Sequence, residues 1–345
     1  MTEKIRVGFI GAGGNTRLRH IPGLKSQPDV ELAWVCNRSL ESGQRVAAEF
    51  GIEKVTTDPE DIFTDPSVNA VCIGTWPYMH KEYTVRALGA GKHVLCEARM
   101  AMNAEEAREM LAASRARPDL VAQLVPAPFD FRCGPTISKL IREGYVGQPT
   151  DVVITVLNGQ GLDPARMLQW RHRYDYSGHN TMMLGIYNEV VQRWLGDTTR
   201  VTAQARVFID RRRDPETGKE VEVLIPDSIT VAAGMRIGAR ATYVFSAVAP
   251  VAQRSGITVY GTEGVIVWEG GDRMQVAKAG GQLEPREPEP ELAGSWRVEQ
   301  DFVESIREGK PVRLTNFEDG VRYMEFTDAV WQSWHEGRAV DVKPL

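Results

Sequence analysis

Up to about residue 120, short apolar runs alternate with stretches in which apolar residues recur at helical spacing. Val7 to Ile10, Glu31 to Val35, Ala70 to Ile73 and His93 to Cys96 are too short for helices and read as strands. Between them Ser39 to Phe50 and Lys81 to Gly89 carry helical patterns. Asn103, followed three residues later by Glu106, resembles a capping box that opens a helix through Ala112. Strand, helix, strand at this spacing predicts a parallel sheet with right-handed crossovers.

After residue 150 the texture changes. Asp151 to Leu157, Val201 to Phe208, Ile229 to Met235, Ala241 to Ala249, Gly256 to Tyr260 and Val265 to Trp268 follow one another with little helix between, which predicts a mainly antiparallel sheet. A helix over Thr181 to Leu195 interrupts them, and two more close the chain near Trp296 to Glu308 and Phe317 to Glu336. The stretch GGQLEPREPEPELAG, rich in proline and glutamate, reads as an exposed loop. The fold class is therefore α/β, with a parallel-sheet domain over 1–123 and a second α/β domain over 124–345 built on a large, mainly antiparallel sheet.

Composition narrows the function. A formal charge of −5 argues against a nucleic-acid partner, which needs a basic patch. An apolar share of 42% supports a full core, and no apolar run approaches the roughly 20 residues that span a bilayer. Met1 leads within four residues into the first strand, so no signal peptide is expected. Cys36, Cys72, Cys96 and Cys133 show no C-x-x-C spacing and read as buried free thiols in a reducing cytoplasm rather than a metal or disulfide framework.

The first strand runs straight into Gly11-Ala12-Gly13-Gly14-Asn15-Thr16. Glycines there let the backbone turn tightly and approach a pyrophosphate facing helix N-terminal amides. The third position of the fingerprint holds Thr16 instead of glycine or alanine. At the end of the second strand, where NAD-selective folds place a carboxylate for the ribose hydroxyl, this chain has Asn37-Arg38-Ser39. Asn37 does not repel a 2′-phosphate, and Arg38 and Ser39 suit one, which favours NADP over NAD. Arg38 also suits stacking on adenine, or a solvated place at a helix start.

These residues, with "HIP" after the glycine turn, "GTWPYMH" over 74–80, "GKHVLCE" over 91–97, "ISKLIREGYVGQP", "GIYNEVVQRWLG" and the closing "DGVRYMEFTDAVWQSWHEGRAVDV", carry a resemblance to the Gfo/Idh/MocA oxidoreductases over nearly the whole chain. The resemblance implies a Rossmann domain followed by a domain whose open sheet forms a homodimer or homotetramer. It implies a carbohydrate-like small-molecule substrate, and Thr75, Trp76, His80 and Glu97 beside the nicotinamide ribose. It also implies a catalytic lysine in Glu-Lys-Pro and an aspartate and histidine on the helix of the second domain.

At those positions this chain has Glu97-Ala98-Arg99, Met183 and Tyr187. Alanine moves no proton, and an arginine stays protonated at any working pH. Arg99 is left to anchor an anionic substrate group or stabilise an alkoxide, or else to pair with Glu97 or another carboxylate. Tyr187 is the candidate acid/base if nearby positive charge lowers a phenol's pKa from about 10. A helix beginning near His179 would set His179, Met183 and Tyr187 on one face, making His179 the second candidate base. Otherwise His179 is a helix-capping or surface residue. The expected function is an NAD(P)-dependent oxidoreductase of a sugar, polyol or sugar acid. The alternatives are a redox-neutral lyase or glycoside hydrolase with tightly held cofactor, and a catalytically silent dinucleotide-binding regulator.

Overall fold

The computed structural model describes residues 4–251 and 255–345, which divide into two compact units. The first comprises residues 1–126 and 297–321, and the second residues 127–296 and 322–345. The return of 297–321 to the first unit is a feature that the sequence boundary at 123/124 does not contain.

In the first unit, strands β1 (Ile5–Ile10), β2 (Val30–Cys36), β3 (Lys54–Thr56), β4 (Ala70–Ile73), β5 (His93–Cys96) and β6 (Ala122–Leu124) pair in the order β3-β2-β1-β4-β5-β6, all parallel. The order reverses between β2–β1 and β4, and at such a switch point the strand ends diverge and leave a crevice for a ligand. Helices α1 (Ile21–Lys25), α2 (Leu40–Phe50), α3 (Glu60–Thr64), α4 (Pro77–Gly89) and α5 (Ala104–Arg115) are the connections. A π-helical turn, Thr16–His20, precedes α1. β4 is buried along its length, as a central parallel strand covered on both faces must be. Asn103 caps α5 by accepting the Glu106 amide at 2.9 Å. The Glu106 carboxylate reaches back to the Met102 amide, one residue earlier than in a standard capping box.

The second unit opens with α6 (Gly134–Arg142) and β7 (Pro149–Leu157), then the short α7 (Tyr174–Ser177) and α8 (Leu184–Leu195). There follow β8 (Thr198–Arg206), β9 (Arg211–Arg213), β10 (Glu220–Glu222), β11 (Ser228–Met235), β12 (Arg240–Ser246), β13 (Gly256–Gly261), β14 (Gly264–Trp268), β15 (Met274–Lys278) and β16 (Glu284–Arg286). The chain closes with α9 (Val298–Glu308), α10 (Phe317–Glu336) and β17 (Val340–Asp341). Among the described residues nine strands form one sheet, β16-β15-β14-β13-β7-β12-β11-β8-β17, antiparallel except where β7 meets β12. β9 and β10 form a separate hairpin.

Along β7 the alternation is clean: Val152, Ile154 and Val156 enter the core, while Val153 lies 37% exposed on the opposite face. Tyr187, Val190 and Val191 of α8 and Phe326 and Val330 of α10 belong to the same core.

Two expectations are corrected. The Pro/Glu-rich stretch contains β16, an exposed edge strand, where Pro285 is tolerated because its missing N–H faces away from the ladder. The helix expected from Thr181 begins at Leu184, because Met182 sits at φ +46° and breaks helical geometry. No helix of the described residues is long and apolar enough to cross a membrane.

Candidate active site

In the first unit the glycine turn is held from three sides. The Gly11 amide donates to Cys36 O at 2.9 Å, the Gly74 amide to Ile10 O at 2.8 Å, and the Ala12 amide to Asn37 Oδ1 at 2.8 Å. Gly11 has φ +84°, and a Cβ there would lie 2.7 Å from Thr75 Cγ2 and 2.8 Å from its amide nitrogen. This position therefore requires glycine on both conformational and steric grounds. Thr16, the departure from the fingerprint, is buried and donates its hydroxyl to Gly11 O at 3.2 Å. A Cβ on Gly74 would overlap that hydroxyl, so the space a third glycine normally supplies comes from the facing strand end instead.

Gly13 and Gly14 have the opposite character. They are exposed, and no described atom lies within 4 Å of where a Gly14 Cβ would be. Beside the turn the Thr75 hydroxyl is buried without a hydrogen-bond partner among the described residues. Open glycines next to an orphaned hydroxyl at the carboxyl ends of parallel strands fit a dinucleotide's diphosphate.

Arg38 and Trp76, both singled out in sequence, come together, with the guanidinium 5.1 Å from the indole centroid. Ser39 Oγ caps α2 by accepting the Ser42 amide. His80 is fully buried, with Nδ1 2.8 Å from Arg99 O and Nε2 3.1 Å from Thr75 O. It ties the turn after β4 to the turn after β5. Burial lowers its pKa, against the pull of those carbonyls. Arg99 is itself only 4% exposed.

Glu97 belongs to a buried set that sequence reading missed. Its Oε1 accepts from the Asn15 carboxamide and lies 2.9 Å from His20 Nε2, while His20 Nδ1 lies 2.6 Å from Glu299 Oε1. Glu299 comes from α9 and reaches in over Gly23, where a Cβ would sit 2.8 Å from its carboxylate. Burial opposes charge on His20, but the two carboxylates outweigh it and raise its pKa to about 9. Burial likewise opposes charge on Glu97, and His20 and Asn15 outweigh it, so its pKa is lowered. Glu97 is thereby fixed as an anion against the glycine turn.

In the second unit Tyr187 is 4% exposed, stacked on Phe129 at 4.4 Å and edge-on to Phe245 at 5.4 Å. Burial raises its pKa, against a hydrogen bond with Ser255. The positive neighbour that an acid/base tyrosine needs is not among these contacts.

His179 precedes α8 and does not share a helical face with Tyr187, because the chain between them passes through Met182. Its Nδ1 lies 2.8 Å from Asp328 Oδ1 and its Nε2 3.2 Å from Tyr174 Oη. The ring stacks on Trp331 at 5.0 Å with 12° between planes. Burial, then the positive charges of Arg212 and Arg166, push the nearby His172 down to about 4. Its Nδ1 accepts the Gln169 amide.

A family model described as an oxidoreductase family with an NAD-binding Rossmann fold matches residues 5–123, and a model of the GFO/IDH/MocA C-terminal domain matches residues 135–267. The chain is 27% identical to levoglucosan dehydrogenase of Pseudarthrobacter phenanthrenivorans, over 90% of this chain and 89% of that one. It is 25% identical to dTDP-3,4-didehydro-2,6-dideoxy-alpha-D-glucose 3-reductase of Streptomyces antibioticus, over 95% and 97%. A solved structure of levoglucosan dehydrogenase with NADH and L-sorbose shares its fold, with a TM-score of 0.86 at 24% identity over 99% of each chain.

Proposed function

The chain belongs to the Gfo/Idh/MocA oxidoreductases, and on that footing we propose that it interconverts a hydroxyl and a carbonyl on a sugar, polyol or sugar acid, using NADP in preference to NAD. The observation that carries the reading is the turn Gly11–Asn15, wedged against Thr75 at its first glycine and open at Gly13 and Gly14. Gly13, Gly14, Asn15 and Thr75 would hold the dinucleotide's diphosphate, with Glu97 as a fixed negative charge beside them. Bound there, a nicotinamide supplies the hydride acceptor or donor.

Two observations support NADP. The end of β2 carries Asn37 in place of a carboxylate, and its carboxamide oxygen is already engaged by the Ala12 amide. Arg38, lying over Trp76, leaves a cationic, aromatic corner suited to a 2′-phosphate and an adenine. The substrate class is supported by the relatives, whose names specify levoglucosan and a dTDP-linked dideoxyglucose.

The test is calorimetric titration with NADP, NADPH, NAD and NADH, followed by a panel of sugars and sugar acids monitored by absorbance of the reduced cofactor. Tighter binding of NADP and net reduction with at least one sugar are expected. Absence of any heat of binding would remove the proposal. A dinucleotide that co-purifies and never exchanges would favour redox-neutral chemistry.

The outer face of the nine-stranded sheet, with Val153 37% and Tyr260 46% exposed, supports self-association through that face. Light scattering on the purified protein and a Tyr260→Lys variant tests this: a dimer or tetramer that the variant breaks is expected.

A further inference from the structure

Asn15 and His20 stand five positions apart, a spacing that on an α-helix would turn their side chains about 140° away from each other. Here they meet, with the Asn15 carboxamide nitrogen 3.4 Å from His20 Nε2. The π-helical turn Thr16–His20 is the cause: the Ile21 amide donates to Thr16 O, five residues back, and the wider turn brings Asn15 and His20 onto one side. Such turns are rare and concentrate at functional sites. We propose that His20 and Glu299 are positioning residues for the dinucleotide: an imidazolium held between Glu299 and Glu97 fixes Asn15 at the end of the glycine turn, and dinucleotide affinity depends on that charge. The proposal rests on the dinucleotide-binding reading above.

The set is built from four segments of the first unit. Asn15 closes the glycine turn, His20 ends the π-helical turn, Glu97 follows β5, and Glu299 lies in the first turn of α9. Glu299 Oε1 lies 2.6 Å from His20 Nδ1, and Glu97 Oε1 lies 2.9 Å from Nε2. An ionised carboxylate only accepts, so the doubly protonated ring satisfies both contacts. A neutral ring would leave one lone pair against an oxygen anion.

Glu97 passes the constraint on. Its Oε1 also accepts from the Asn15 carboxamide, and its Oε2 accepts the Ala98 amide at 3.2 Å. An asparagine just before a helical turn ordinarily caps the backbone with its side chain. Asn15 makes no such bond and turns to Glu97 instead. Gly23, inside α1, is the matching concession: glycine weakens a helix interior, and a Cβ there would stand 2.8 Å from the Glu299 carboxylate.

Asn15 is exposed beside the open glycines Gly13 and Gly14, so the buried set ends where the diphosphate would lie. With His20 charged, its cation offsets one of the two carboxylates; with His20 neutral, both face an anionic ligand uncompensated. Neighbouring charges are engaged elsewhere. Arg17 pairs with Glu49, and on α9 Asp301 pairs with Arg297 and Arg313. Burial, then Glu97 and Glu299, hold the Cys72 thiol of β4 well above its ordinary range, and burial lowers His80 of α4, behind Glu97.

The test is calorimetric titration of the full chain with NADPH and with NADH between about pH 7 and about pH 10, in two buffers of different ionisation enthalpy. His20 loses its proton at about pH 9. Affinity is therefore expected to hold to about pH 8 and to fall about five- to tenfold by about pH 10. Near about pH 9.5 binding is expected to take up about half a proton or more, because the anionic ligand favours the imidazolium. His20→Gln is expected to bind about 10- to 100-fold more weakly at neutral pH and to show neither the fall nor the uptake. Glu299→Gln is expected to move the fall to lower pH, since one of the two carboxylates that raise His20 is gone.

NMR of the ligand-free chain labelled with ¹⁵N in histidine is expected to show both ring nitrogens of His20 protonated at neutral pH. A neutral His20 overturns the proposal. So does a wild-type affinity that stays flat to about pH 10, a fall that persists in His20→Gln, or an unshifted fall in a folded Glu299→Gln. Binding of neither dinucleotide at any pH removes the dinucleotide reading itself, and this inference with it.

Discussion

Replacing His20 with glutamine removes the cation shared by two buried carboxylates while keeping a hydrogen-bonding side chain of similar size. In the folded chain burial disfavours the imidazolium, but Glu299 and Glu97 raise its pKa from 6.5 to about 9. At about 1.4 kcal/mol per tenfold change in proton affinity, this raises folding stability by about 3 kcal/mol. A group whose pKa rises on folding contributes fully below its unfolded pKa and loses that contribution as the pH climbs through the folded one. The expected contribution is therefore about 3 kcal/mol at pH 6, about 2 kcal/mol at pH 7.5 and a few tenths at about pH 9.5. Guanidinium unfolding of wild type and His20→Gln across this range, followed by circular dichroism, measures it. The gap between the two proteins should narrow by about 3 kcal/mol toward alkaline pH. A gap that stays constant would refute the buried imidazolium. Glu97 acts at the other end of the scale: its lowered pKa gives a contribution present above the unfolded carboxyl's pKa and lost as the pH falls through the folded value.

Gly74→Ala is expected to cost about 1–3 kcal/mol by forcing Thr16 and the Gly11 carbonyl away from β4. It should weaken dinucleotide binding, and adding Thr16→Gly should recover part of both losses in thermal denaturation and calorimetry. Arg38→Ala is expected to weaken NADP about 10- to 100-fold while changing NAD little, since a charged hydrogen bond to phosphate is worth about 1.5–3 kcal/mol. Equal losses for both cofactors would assign Arg38 to adenine stacking. Tyr187→Ala should destabilise the second unit by about 3–5 kcal/mol through loss of the ring between Phe129 and Phe245. Denaturant midpoints of Tyr187→Ala and Tyr187→Phe separate that packing from the hydroxyl.

The parts of this fold that were legible in sequence are those whose signals are local. Val7 to Ile10 followed by Gly11 and Gly13 announces a strand and a tight glycine turn in a dozen residues, and Asn103 announces its helix. β3 and β6, of three residues each, carry too little apolar pattern to be noticed and exist because a neighbouring strand pairs with them. The start of α8 was misplaced because nothing in Thr181-Met182-Met183 signals a left-handed residue, and Met182, packed against the second unit's core, adopts one. The site was half-legible for the same reason. Gly11, Arg38 and Trp76 stand in recognisable contexts. His20 pairs with Glu299 across 279 positions, and His179 with Asp328 across 149, distances over which a sequence offers no periodicity to read.

Glu299 arrives on a segment that the ribosome makes late, after every strand of the second unit's large sheet but β17. At translation rates of about 5–20 residues per second, the nascent first unit waits roughly ten to thirty seconds with His20 and Glu97 assembled around a missing neighbour. A fragment ending at Pro126 would be arrested in that state permanently, so an attempt to produce the nucleotide-binding half alone should yield a chain that chaperones retain or that precipitates. Fusing residues 297–321 behind it would supply the absent carboxylate in cis.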